Sequence, residues 1–173
     1  FIKKKLDEFN INASQDNLNF ENIEDKVDFL NKKVQHIDMS IVSYINENCT
    51  IDKEDVNNII HKKVTINNII CDILYNLNQD TNKKFIFTFK FKKYIIYLWN
   101  EDKQTWDKST PSYLKEIFET IQKKIIFVYN EIVKEYMNNT NHNFDFIESG
   151  ELVYVDFDKK MLETKKYLCQ LFK

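Results

Sequence analysis

Glycine occurs once in this chain (Gly150), as do proline (Pro111) and alanine (Ala13), and arginine does not occur at all. Each scarcity removes a class of function. The P-loop, the G-x-G-x-x-G turn of dinucleotide-binding folds and the nucleophile elbow of α/β-hydrolases need backbone that only glycine permits, and one glycine cannot build them. Without arginine, bidentate planar recognition of phosphate, carboxylate or guanine is lost and only lysine point charges remain. Sequence-specific nucleic-acid binding is therefore disfavoured. Cys49, Cys71 and Cys169 are widely spaced and form no C-x-x-C pair, so neither a zinc knuckle nor a thioredoxin-type site is readable. Their apolar neighbours predict reduced core thiols and an intracellular, reducing compartment. No apolar run approaches the ~18–20 residues needed to span a bilayer.

What is abundant bounds the rest. Of 173 residues, 43% are apolar and 30% charged, with a formal charge of -2. This is the profile of a soluble globular protein, read as a single domain over 1–173, with no long-range pull toward nucleic acid or anionic lipid. Phe, Tyr, Ile, Asn and Lys have A/T-rich codons and the scarce residues G/C-rich ones. The bias predicts a very AT-rich genome, of the kind seen in malaria parasites and social amoebae. Asn12, Asn48 and Asn138 stand in N-x-S/T sequons, which an Asn-rich chain also produces by chance. The chain starts at Phe1 and can be a fragment or a processed form, so a targeting signal could have stood upstream.

The apolar spacing predicts a predominantly helical α+β fold. Thr110-Pro111 opens a long helix over about 111–138, with Leu114, Phe118, Ile121, Ile125, Val128 and Ile132 on one face and Lys115, Glu116, Glu119, Gln122, Lys123, Asn130 and Lys134 on the wet side. A helix over about 22–46 carries Ile23, Val27, Leu30, Val34, Ile37 and Ile41 in alternating steps of four and three. That spacing suits either a two-stranded coiled-coil seam or a helix packed on its own domain. A third helix, about 52–78, opens on Asp52 with Glu54 and Asp55 in its first turn; its β-branched run Val64-Thr65-Ile66 marks a place for a break. Asp158 is expected to cap a final helix over 158–172. Phe1–Phe9 is read as a short helix.

Period two replaces this pattern at Phe85–Phe91, where phenylalanines alternate with Ile86, Thr88 and Lys90 as in a half-buried strand. With Tyr94–Trp99 and Gln104–Asp107 this predicts small antiparallel strands over about 85–107. A second hairpin is expected over about 144–157, turning at Glu148–Glu151, with Gly150 supplying a positive φ.

Candidate sites are few, and each has a plain structural counterpart. Neither His36 nor His61 has a His or Glu one helical turn on, so helical metal spacing is absent; His142 completes the imidazoles. Asp52, Glu54 and Asp55 could hold a hard cation, but capping explains them. Asp156 and Asp158, with Glu148 and Glu151, form a carboxylate group of the kind turns and caps also produce. Lys83-Lys84 and Lys92-Lys93 flank the phenylalanine strand, an arrangement used by single-strand nucleic-acid binders and, more simply, by protected strand edges.

The sequence thus points to a non-enzymatic subunit or scaffold of a larger protein assembly. It would bind protein partners, or itself, through Ile23, Val27, Leu30, Val34, Ile37 and Ile41; no catalytic residue, metal or cofactor is assigned. The alternatives are a small metal-handling or hydrolytic domain using one of the acidic groups, and a secreted or exported helical domain of a parasite.

Overall fold

The computed structural model describes residues 22–80, 83–89, 94–139 and 145–172. The helix expected at Phe1–Phe9, the Asn12 sequon, Lys92, Lys93 and His142 lie outside the described residues. In order, the elements are α1 (Ile23–Lys33), α2 (Ile41–Asn48), α3 (Lys53–Ile60), α4 (Ile66–Asp80), β1 (Ile86–Phe89), β2 (Ile95–Asn100), β3 (Thr105–Lys108), α5 (Pro111–Met137), α6 (Phe146–Val153) and α7 (Phe157–Leu171). The fold is α+β and predominantly helical, with one small antiparallel sheet.

α5 is the axis. Thr110 accepts the N–H of Tyr113 at 3.3 Å and Pro111 occupies the first turn, where its missing donor costs nothing. The helix buries Leu114, Phe118, Ile121, Ile125 and Ile132, and packs against α2, α3, α4, α6 and α7. Gln122, expected on the wet side, is buried instead. Its amide donates to the carbonyls of Val153 and Val155, both at 3.0 Å, tying α5 to the joint between α6 and α7.

Three expectations are corrected. The helix expected over 22–46 is two helices, because the chain between them finds other hydrogen bonds. Lys84 donates to the Gln35 carbonyl at 2.8 Å and accepts from the Ile37 N–H at 3.2 Å, while Ser40 caps α2 by accepting from Ser43. Val34 and Ile37 thus reach the core from extended backbone, and apolar spacing alone does not distinguish that from helix.

The helix expected over 52–78 is likewise two, broken just before Ile66 as the β-branched run suggested. α3 closes through Lys62 N–H to the Ile59 carbonyl at 3.0 Å and Lys63 N–H to the Asn58 carbonyl at 2.9 Å, with Lys62 at φ 58°. This is the paired closure usually built on glycine.

The hairpin expected over 144–157 is α6. Gly150 lies inside it and has no positive φ. Asp145 accepts from the N–H groups of Ile147 and Glu148, and Asp156, rather than Asp158, caps α7.

The sheet runs β1-β2-β3, with Ile86 opposite Leu98 and Trp99 opposite Trp106. It is buried on both faces: Phe87, Trp99 and Trp106 on one, Ile86, Ile96 and Leu98 on the other. The half-buried strand expected from the phenylalanine alternation is therefore covered twice. α1 explains one face, since Lys26 donates to the Thr88 carbonyl on β1 and Asn31 accepts from the Trp106 N–H on β3 at 3.0 Å.

Most of the outer edge of β1 is bonded within the chain. Lys84 pairs with the 35–37 segment, and Thr88 accepts from Lys26. Ile86 gives its N–H to Asn78 Oδ1 at 3.1 Å and its carbonyl accepts from Asn78 Nδ2 at 3.2 Å. One buried asparagine thus takes the place of a neighbouring strand.

Candidate interaction surface

α6 is short and packs against α3 and α5, and three polar contacts set its position. Asp145 satisfies its first N–H groups, Tyr129 of α5 meets Ser149 Oγ at 2.7 Å, and Gln122 holds its last carbonyl region. Ser149 and Val153 are the buried side, packed toward α3 and α5. At the opposite side stands Ile147, 79% exposed; Tyr154, the residue that ends the helix, is 56% exposed with its ring edge-on to Tyr129 of α5 at 6.4 Å between centroids, and Phe146 is also exposed. Ile147, Glu151 and Tyr154 follow one another at helical steps of four and three, so they form one stripe. Gly150 lies beside it, where an added Cβ would meet only the Tyr129 hydroxyl, at 3.8 Å. Sequence reasoning missed this surface by reading strand. The available signal was the D-x-x-E spacing of Asp145 and Glu148, which marks a helix start.

The seam residues are placed elsewhere. Leu30, Val34, Ile37 and Ile41 are buried in the core, Ile41 completely, and Ile23 and Val27 pack against it. Ile23, Val27 and Leu30 lie on α1, Val34 and Ile37 on the extended connection and Ile41 at the start of α2, so the structure gathers them into one core rather than onto one exposed helix face.

Most members of the acidic groups hold a structural position, although Asp52, at the cap position of α3, makes no side-chain cap bond. Glu148 pairs with Lys62, and that carboxylate raises the lysine above its usual range. Asp158 meets Lys115 at 2.6 Å with the same effect. Glu54 and Asp55 occupy the first turn of α3, with Asp52 at the cap position. Burial, and then the neighbouring Asp52, Glu54 and Asp72, push the Asp55 carboxyl up. Among the described residues no group of three or more His, Cys, Asp or Glu side chains could hold a metal ion.

His36 stacks on Trp99 with ring centroids 3.5 Å apart, and His61 ends α3. All three thiols are buried and free. Burial raises each, Cys169 to about 11 and Cys71 further. Such thiols are poor nucleophiles and poor ligands. No helix among the described residues is long and apolar enough to cross a membrane.

One open cleft of about 660 Å³ lies where the β2–β3 turn meets the starts of α2 and α5. Its wall mixes Glu101, Asp102 and Glu116 with Lys103, Lys108 and Tyr113. These charges oppose one another around it and converge on no single chemistry. No family model matches the chain, and comparison with curated proteins and with solved structures found no match.

Proposed function

We propose that the chain is a non-enzymatic subunit or scaffold of a larger protein assembly. The observation that carries this reading is the exposed apolar stripe of α6, on a helix otherwise held rigidly by buried polar contacts. Exposed apolar groups on a fixed element are what a protein partner covers. Docking through Ile23, Val27, Leu30, Val34, Ile37 and Ile41 would require α1 and α2 to leave the core they complete, so the stripe is the better docking face.

Native affinity purification from the source cells, with partner stoichiometry counted, tests the proposal. A defined complex supports it and a lone monomer overturns it. Ile41→Lys separates the two faces: it should cost folding, by at least about 3 kcal/mol, whereas Ile147→Ser should leave folding intact and weaken partner retention. Loss of the partner in a folded Ile41→Lys protein, with full retention by Ile147→Ser, would return the interface to the seam.

A further inference from the structure

We infer that the segment docking on α6 is both apolar and basic: leucine- or phenylalanine-type side chains flanked by lysine or arginine. This rests on the subunit reading above and names the chemistry of its partner.

From Asp145 to Asp158 the chain carries five acids and no basic residue. Lys62 and Lys115 offset two of them, at Glu148 and Asp158. The exposed Glu151 has no ion-pair partner among the described residues and stands between Ile147 and Tyr154 on the stripe. An apolar stripe with an unopposed negative charge at its centre selects against acidic partners and for basic ones. The same logic disfavours a second copy of the chain. Two-fold pairing of this face would set Glu151 and its acidic neighbours against their own equivalents. Strand addition at β1 is disfavoured too, because the outward groups of Lys84 and Ile86 and the Thr88 carbonyl are already bonded.

The test is fluorescence anisotropy of the full chain with a synthetic amphipathic peptide of leucine and lysine, about four turns long, and its glutamate-for-lysine counterpart. The lysine peptide should bind and the glutamate peptide should not. Ile147→Ser, Tyr154→Ser and Glu151→Lys should each weaken binding about tenfold, and salt near 0.5 M should weaken it further. Glu131→Lys, on the exposed flank of α5, should leave it unchanged.

Equal binding of both peptides, or equal loss in the Glu131→Lys control, overturns the inference. So does self-association in sedimentation that Ile147→Ser abolishes, since the stripe would then serve a second copy. A native complex whose cross-links avoid α6 refutes the inference and leaves the subunit reading standing, whereas absence of any complex removes the subunit reading itself.

Discussion

Replacing Asn78 by leucine is the most exacting test of how this fold holds its sheet. The side chain is 1% exposed. Its Oδ1 accepts from Phe85 N–H at 2.9 Å and from Ile86 N–H at 3.1 Å, and its Nδ2 donates to the Ile86 carbonyl at 3.2 Å. Leucine nearly conserves the volume and removes all three bonds, leaving two donors and an acceptor buried. Each unsatisfied group costs about 1–3 kcal/mol. With partial relaxation at the edge, a total of roughly 3–5 kcal/mol follows, a large share of an ordinary stability of about 5–15 kcal/mol.

Urea unfolding followed by circular dichroism measures the loss. Hydrogen exchange at Ile86 localises it, because that amide should lose its protection selectively. Asn76→Leu, on the exposed side of the same helix, should stay within about 0.5 kcal/mol. A cost below about 1 kcal/mol for Asn78→Leu, or unchanged exchange at Ile86, would refute the edge argument.

Three further outcomes are expected. Gly150→Ala should stabilise by about 0.5–1 kcal/mol in chemical denaturation, since the position is helical and the new methyl meets only ordinary contact. Gln104→Gly should gain about 1 kcal/mol, because Gln104 sits at φ 55° in the β2–β3 turn; a loss would show that its side-chain bond to the Glu101 carbonyl at 2.6 Å outweighs the backbone strain. Thiol titration should find no reactive cysteine in the folded chain at pH 8 and three after denaturation. Because burial raises the folded thiols above the ordinary 9.0, with Cys169 near 11, their contribution to stability is complete below about pH 9 and is lost as pH rises. The slope is at most about 1.4 kcal/mol per pH unit for each thiol. A stability flat from pH 8 to 11 would contradict this.

The long helix was legible almost to the residue, because Thr110-Pro111 carries its own start signal and its apolar face persists for the whole span. β1, β2 and β3 were legible as a change of period, and the last helix differed by one residue at each end. What misled was spacing without context. Ile37 and Ile41 keep a helical interval across a break that Lys84 creates from far along the chain. Gly150 suggested a turn, yet the positive φ values in the described residues fall on Lys62 and Gln104. In a chain with so little glycine, residue type is a poor guide to backbone conformation. The exposed stripe at Ile147 and Tyr154 was hidden by the same misreading, since it exists only if that segment is a helix.

The bonded edge of β1 also governs what happens when the fold opens. The run Phe85-Ile86-Phe87-Thr88-Phe89 is short, aromatic and uncharged, the composition that stacks into intermolecular cross-β assemblies once its backbone is free. In the native chain Asn78 and Lys26 hold backbone groups of Phe85, Ile86 and Thr88, and the 35–37 segment pairs with Lys84 just before the run. Unfolding releases them together, so the partially opened chain is the aggregating species and heating should precipitate it rather than yield a reversible transition. The working lifetime of this protein is then set by how rarely that edge unlocks, a rate fixed by the barrier to local opening.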